Sequence, residues 1–475
     1  MSPGHSTDAG LWSPAYRKLT IGLVLTITLV AFEALAVATV MPIVSRELGD
    51  LELYGWVFTA FMLGSLIGIV VIGGLIDRRG LGGPFVAGIG LFAVGLVVGG
   101  LAPNMAVLVA ARFVQGVGAG AIPPIAYVAI GRSLPERLRP QMFAVLSTAW
   151  VLPGVLGPVI AGVVGETVGW RWVFLGLLPL IGIAAAISFS AVHRVGPALD
   201  SASGEAAAAA SMRRRVPLAL VVALGTGLFL AGMTTGQALP LAVLVALGVA
   251  LAVPALVRLT PAGTLRAARG LPAAVLMRGI LTFTFFGVDA YVALALVEWR
   301  GQTAIEAGIS LTAATLAWTA GSWIQARNAH RWPPAQFFRA GLLVVVIGLA
   351  AFALILLPEV SPWLAIPVFG LAGLGMGLAY APLTLIVLRE APVQEQGSAS
   401  SALSLTDALG IALGTGMTGA IVAASARQTG EPVLGLAVGF FVAIGVGCIG
   451  LGLSGRLRTR EAGAPVASPV AVPGS

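Results

Sequence analysis

Charge is what this sequence has least of. Only 10% of its 475 residues are Asp, Glu, Lys or Arg, against about 25% in soluble domains. A shell of that composition cannot face water on every side. There is one cysteine, Cys448, inside an apolar run, which rules out an internal disulfide framework or a thiolate metal cluster. The three histidines, His5, His193 and His330, fall in the amino-terminal tail or in loops. No metal site is therefore expected at membrane depth, and an intramembrane serine protease would lack its histidine. No cofactor is expected either.

What replaces charge is apolar length. Hydrophobic residues make up 58% of the chain, and its mean hydropathy is +0.99. This is the composition of an all-α integral membrane protein. The 63 glycines lie within apolar runs, where small residues let membrane helices approach closely. The net charge of +8 does not indicate nucleic acid, because the arginines are scattered over short loops and form no stripe. It reads instead as an orientation signal for membrane insertion.

A helix needs about 20 apolar residues to cross a bilayer. Fourteen runs qualify: 19–42, 54–76, 84–103, 105–130, 141–165, 170–191, 216–234, 237–257, 273–297, 304–325, 336–357, 362–388, 398–424 and 432–454. Arg17 and Lys18 precede the first run, which continues without an A-x-A-like cleavage site and is read as a retained helix. With residue 1 inside, the inner segments hold 22 of the 27 basic residues; Arg46, Arg171, Arg300 and Arg427 are outside and Arg112 lies within a run. The asymmetry predicts both termini on the cytoplasmic side of the cell membrane. Residues 192–215 read as a small-residue linker ending in three arginines, and 461–475 as a tail without the means to bury a core.

The motif GVGAG at Gly116–Gly120 returns as GLGMG at Gly373–Gly377, an offset of 257 residues. The same offset carries Ser147 to Ser404, Leu152 to Leu409, Gly157 to Gly414 and Gly162 to Gly419. One offset serving two successive runs implies two similar six-helix bundles, 19–191 and 258–455, with 216–257 inserted as two extra helices. Residues 1–18 and 456–475 are then cytoplasmic tails. Parallel repeats of this kind are a plan of transporters, with the substrate path between them. GVGAG follows no strand, so it is not a phosphate loop.

Ionisable side chains at membrane depth are the candidate functional residues, since each is costly there. Glu33 is surrounded by LVAF and ALAV, about 12 Å from the outer boundary at 1.5 Å per residue. Arg112, on a run of opposite direction, comes to about 10 Å from the same boundary. The two can share a depth, either as a packing ion pair or as a protonatable acid tuned by an arginine. Asp289, in the ninth run, is read as the counterpart of Glu33; Asp407, in the thirteenth, lies nearer the inner face. Gly154, Gly157 and Pro158 share one side of the fifth run, a smooth surface for another helix or ordinary glycine packing.

These residues together resemble the major facilitator superfamily, and the run count is similar to its 14-helix drug:proton antiporter branch. In that family a G-x-x-x-D-R-x-G motif latches the bundles at the inner face, as in Gly73, Asp77, Arg78 and Gly80. The R-x-x-Q-G-x-G motif matches Arg112, Gln115, Gly116 and Gly118, with the arginine implicated in proton coupling. The antiporter motif G-P-x-x-G-G is similar to Gly157, Pro158, Ala161 and Gly162, and WRWVFLGLLP at Trp170–Pro179 resembles the start of the sixth helix. Leu81 and Gly82 replace the basic pair that usually ends the first motif, Pro153 replaces a glycine, and Glu33, Leu35 and Ala38 replace aspartate, threonine and asparagine.

The resemblance implies a fold of two six-helix bundles plus two central helices. It implies a non-enzymatic, proton-coupled antiporter that exports hydrophobic or cationic small molecules, as in multidrug or antibiotic efflux, by alternating access. Its partners would be substrate, protons and membrane lipids, with no nucleic acid and a monomer as the working unit. Export of an endogenous metabolite, symport and uniport stay open. A non-transporting receptor or scaffold is the more remote alternative, since it gains little from three intramembrane acids and an arginine.

Overall fold

The computed structural model describes residues 10–49, 54–193, 202–235, 237–302, 304–431 and 433–457. Among them the chain is helical throughout, with no strand. The order is α1 Arg17–Leu48, α2 Tyr54–Arg79, α3 Gly82–Gly100, α4 Met105–Ala119, α5 Ile122–Ser133, α6 Arg139–Thr148, α7 Val151–Val164, α8 Arg171–Leu175 and α9 Leu177–Val192. It continues with α10 Ala202–Thr234, α11 Ala238–Leu259, α12 Leu271–Asp289, α13 Val292–Leu294, α14 Ala304–Asn328, α15 Pro334–Ala353, α16 Ala365–Glu390, α17 Gln396–Thr429 and α18 Val433–Leu453.

Twelve helical segments among the described residues are long and apolar enough to cross a membrane. Two of the fourteen expected runs are not among the twelve. In α2 the apolar stretch is the shorter Trp56–Ile72, and α14 is diluted by alanine, serine and threonine along its 25 residues. The expected linker also differs: Ala202 onward is already helix α10. Its EAAAAASMRRR is alanine-rich, and alanine has the highest helix propensity. Residues 194–201 and the tail from 458 lie outside the described residues.

Several runs are divided. The fourth breaks between α4 and α5 after Gly120, the fifth between α6 and α7 at Ala149 and Trp150, and the ninth between α12 and α13 at Ala290 and Tyr291. Pro217, Pro254 and Pro382 lie inside helices, which membrane helices tolerate when neighbours satisfy the freed carbonyls. Gly80 closes α2 with φ of 72°, a left-handed turn that favours glycine.

The glycine repeat has a packing cause. A Cβ on Gly116 or Gly120 would collide with backbone carbonyls of Phe61 and Ser65 in α2, and one on Gly118 with the backbone of Gly88 and Phe92 in α3. In the second copy, Gly373 and Gly377 press on the carbonyls of Ala314 and Trp318 in α14, while Gly375 meets Gly341 and Val345 of α15 at 2.6 Å. Alternate glycines thus dock one helix against two neighbours, once with α2 and α3 and again with α14 and α15. Close approach of this kind replaces hydrophobic driving force as the source of helix association in lipid.

Helices α10 and α11 pack on each other, and α10 lies along both α2 and α17. Leu66, Ile69 and Val70 of α2, Ala219 and Val222 of α10, and Leu405 and Leu409 of α17 form one buried apolar cluster there. The inserted pair therefore covers the line where the α1–α9 group meets the α12–α18 group.

Candidate functional site

Two acid–arginine clusters occupy the described interior. The first joins α1, α2 and α4. Glu33 lies midway along α1 and is 0% exposed, with Arg112 at 3% and Gln115 at 0%. Arg112 Nη1 donates to Glu33 Oε1 and to Gln115 Oε1, the latter at 2.6 Å, and Nε donates to the carbonyl of Val57 at 3.4 Å. The guanidinium also rests 4.3 Å from the ring centroid of Phe61. Glu33 Oε2 and Gln115 Nε2 have no hydrogen-bond partner among the described residues. Gln115 follows Arg112 by nearly one turn, so the helical pitch stacks the two side chains. The shared depth expected from residue counting is what the structure places here.

The second cluster was not expected. Arg278, seven residues into α12, is fully buried, whereas the orientation tally counts it among the inner-side cations. That count is corrected: its Nη2 donates to the Tyr380 carbonyl at 2.9 Å and to Thr384 Oγ1 at 2.6 Å. Its guanidinium stacks 3.6 Å from the Tyr380 ring centroid. Asp407 of α17 is 3.7 Å from Nη1 through Oδ1, and its Oδ2 accepts from the Tyr380 hydroxyl at 2.9 Å. Tyr127 of α5 is an electrostatic neighbour of Arg278, Asp407 and Tyr380 from the other side of the seam. The signal was present in AAVLMRGILTF, a cation well inside an apolar run, the same feature that singled out Arg112.

Asp289 differs from its expected counterpart. It is the last residue of α12, at the break, half-buried, and without an ion pair or hydrogen bond among the described residues. Glu33 instead sits mid-helix beside an arginine. The structure brings Asp289 to neither cluster.

The remaining motif residues divide. Gly116 and Gly118 serve the helix contacts described above. Gly73, Asp77 and Arg78 fall within α2, with their surroundings outside the described residues; Gly80 makes its turn, its N–H bonding the Ile76 carbonyl at 3.0 Å. In the fifth run, a Cβ on Gly157 would meet Leu35 at 3.7 Å, one on Gly154 would meet Thr315 at 3.5 Å, and one on Gly162 would meet nothing within 4 Å. These are ordinary contacts. The smooth surface of α7 therefore faces α1 and α14 without tight docking; the side chain of Pro158 lies outside the described residues.

Where the α1–α9 and α12–α18 groups meet, hydroxyl and indole groups bridge them. Ser147 and Ser322 share a hydrogen bond of 2.9 Å, Trp323 Nε1 donates to Thr148 Oγ1 at 3.0 Å, and Thr319 Oγ1 donates to the Ser147 carbonyl at 3.4 Å. Ser401 Oγ donates to the Ile69 carbonyl at 2.7 Å, and Arg132 Nη2 to that of Val393 at 3.3 Å. Each bridge is within about 15 Å, at 1.5 Å per residue, of the end carrying the α5–α6 and α16–α17 loops. At the opposite end, Trp170 Nε1 donates to Glu47 Oε2 at 2.8 Å and Arg171 pairs with the same carboxylate. Arg171 and, to a lesser degree, Trp170 hold the Glu47 carboxyl below its ordinary range, against a smaller opposing effect of burial.

The family model of the Major Facilitator Superfamily matches residues 23–415. The chain belongs to the major facilitator superfamily. It is therefore a multi-span membrane transporter, in a family of transporters. Among curated relatives, a "probable multidrug-efflux transporter" of Mycobacterium tuberculosis is 25% identical over 466 residues, covering 94% of this chain and 96% of the relative. The methylenomycin A resistance protein of Streptomyces coelicolor is 27% identical over 434 residues, covering 90% and 89%. The superfamily fold is shared with solved structures. A human organic anion transporter matches with a TM-score of 0.68 at 14% identity, over 93% of this chain and 100% of that one. A proton:xylose symporter matches with 0.65 at 13% identity, over 93% and 95%.

Proposed function

We propose that this superfamily member is a proton-coupled antiporter that exports hydrophobic or cationic small molecules across the cell membrane. The observation that carries the reading is the buried pair Glu33–Arg112. A guanidinium sealed at membrane depth needs a counter-charge beside it, and removing one partner of such a pair costs about 3–5 kcal/mol. Protonating Glu33 therefore destabilises the arrangement around Arg112 and favours the alternative packing of the bundles. Substrate that prefers one of the two states is then linked to the proton by their difference in affinity. The relatives named for multidrug efflux and methylenomycin A resistance support efflux as the direction.

In this reading α2 and α14 also cross the bilayer, giving fourteen crossings, since each is docked lengthwise on a glycine-bearing helix that does cross. The six-helix bundles are 19–191 and 258–455, with α10 and α11 inserted, both termini cytoplasmic and a monomer as the unit. The bridges at the loop end of α5 and α16 then close the cytoplasmic side, leaving this conformation outward-facing. Gly73, Asp77, Arg78 and Gly80 form the inner latch, and Gly154, Gly157, Pro158 and Gly162 the surface on which α1 and α14 slide.

The test is substrate-dependent pH change in everted vesicles, with a panel of fluorescent dyes and drugs, comparing wild type with Glu33→Gln. Proton-linked flux in the wild type and its loss in a folded variant are expected. A variant that exports and moves protons like the wild type overturns the assignment of Glu33.

A further inference from the structure

Asp289 is the intramembrane acid that neither cluster supplies with a partner. It lies as deep in the protein as Arg278, yet where Arg278 is sealed it keeps accessible surface. A side chain enclosed by protein and still reachable by water stands on an interior wall, not on the lipid-facing outside. Its oxygens are not among the sealed, unpartnered atoms, as Glu33 Oε2 and Asp407 Oδ1 are. Helix geometry identifies the wall. Asp289 follows Arg278 by eleven residues, about three turns, so the two share one stripe of α12. On that stripe Arg278 bonds to α16, and Phe285 packs on Trp318 of α14 and Phe369 of α16. Helix α14 is in turn bonded to the opposite bundle through Ser147 and Ser322. Asp289 therefore continues, toward the outer side, the stripe turned to the meeting of the bundles. It is about 27 Å along α12 from Leu271, far above bridges that stay within about 15 Å of the loop end.

Among the described residues no group of the protein completes this acid. Arg278 is about 16 Å away along the helix and held by Tyr380 and Thr384. Arg300 donates to the carbonyls of Leu357, Pro358 and Val360, and the Tyr291 hydroxyl to that of Thr415 at 2.8 Å. An ionisable group at membrane depth is costly and normally paired; here the missing partner has room to come from outside the chain. One turn below, the half-buried ring of Phe286 stands 6.3 Å from that of Trp318, which is 5.5 Å from Tyr380.

We infer that Asp289 is the residue that admits organic cations to the path between the bundles, with their apolar bodies laid on Phe286 and Trp318. An ammonium group is drawn to the carboxylate by charge, and the aromatic faces hold the apolar body and part of the cation. An anion of the same shape is repelled, and a neutral molecule keeps only the aromatic contact. The assignment rests on the reading of the chain as a small-molecule exporter and deepens it. The cationic part of the substrate range depends on Asp289, while Glu33, sealed beside Arg112, is left to the proton.

Three probes with one apolar body isolate the role of charge: (2-naphthylmethyl)trimethylammonium, 2-naphthylmethanol and 2-naphthylmethanesulfonate. The quaternary cation has no proton to lose or donate, so it reports charge alone. Binding is measured by equilibrium dialysis against the full chain in nanodiscs of zwitterionic lipid, with empty nanodiscs subtracting partition into lipid. The wild type is expected to hold the cation at least about tenfold more tightly than the sulfonate, since a partly desolvated charge pair exceeds the energy of one decade in affinity. In Asp289→Asn the ratio of cation to alcohol binding should fall at least about tenfold, and Asp289→Glu should restore it. Phe286→Ala should weaken cation and alcohol by a similar factor. A sulfonate held as tightly as the cation by the wild type overturns the inference, as does a cation-to-alcohol ratio that Asp289→Asn leaves unchanged. If Asp289→Asn does not fold, Asp289→Ser carries the same comparison, and the wild-type ranking decides if neither folds. A protein that ranks the probes as expected but moves no protons with any compound refutes coupling through Glu33 and leaves this site standing. Proton-linked export alongside cation binding that ignores Asp289 does the reverse.

Discussion

Replacing Glu33 by glutamine keeps the volume of the side chain and an acceptor for Arg112, and removes only the charge. Arg112 then remains 3% exposed with Gln115, the Val57 carbonyl and the Phe61 ring for company, all of them neutral. An unpaired buried cation of this kind costs about 3–5 kcal/mol, a large part of the roughly 5–15 kcal/mol that holds a typical domain folded. Changing Arg112 to glutamine as well removes the stranded charge, so the double variant should recover at least about 2 kcal/mol of the loss, within the range measured for coupled neighbours. Thermal unfolding of the purified protein in detergent, followed by tryptophan fluorescence, measures all four corners of the cycle. Proton-linked efflux in everted vesicles is measured on the same four proteins. Stability should return in the double variant and transport should not. Losses that simply add would refute the claim that the two charges depend on each other, and efflux retained by the double variant would sever the pair from coupling.

Other perturbations test other parts of the structure. Ser147 and Ser322, whose hydroxyls are 2.9 Å apart, should cross-link as a cysteine pair in a Cys448→Ser background; efflux should stop on oxidation and resume with reductant. Gly377→Val, which drives a side chain into the Trp318 carbonyl, should abolish folded protein on gel filtration, while Gly162→Ala, which meets open space, should leave yield and melting unchanged. Glu47→Gln at the opposite end should cost less than about 1 kcal/mol, because the pair with Arg171 is half exposed and screened. Since Arg171 lowers the folded pKa of Glu47, that contribution is present above the unfolded value of about 4.5 and is lost as pH falls through the lower folded one. Melting curves of wild type and variant should therefore converge in acid.

Depth arithmetic was enough to pair Glu33 with Arg112, because the helix is unbroken from the outer end of its run to each of them, in α1 and in α4, and a helix rises evenly. It failed for Arg278, which the division into inner and outer loops assigned to a surface although it lies within the ninth run. The repeat offered no help there: the 257-residue offset sets Ile21 and Trp150 where the second bundle has Arg278 and Asp407. An acid and an arginine are thus shared out differently in the two bundles. The glycine repeat was legible as a pattern, but which neighbour each glycine meets depends on helix rotation, which spacing alone does not provide. The count of crossings suffered where alanine and serine replaced leucine in α14, since a helix buried among other helices needs less hydropathy than one facing lipid.

Among the described residues, the hydrogen-bonded bridges given above between the bundles are serine, threonine and tryptophan groups, apart from Arg132. Interhelical hydrogen bonds in membrane proteins average about 0.6 kcal/mol, so the four neutral ones together amount to roughly 2–3 kcal/mol. Reversing a two-state equilibrium from 1:99 to 99:1 takes about 5.5 kcal/mol. The hydrogen-bonded part of the seam is accordingly a fastening that one ligand or one proton has the energy to undo, while the glycine-docked helices on either side would have to break backbone contacts to yield. Motion is channelled by that contrast in strength: the molecule parts along its hydroxyls before it bends within a bundle.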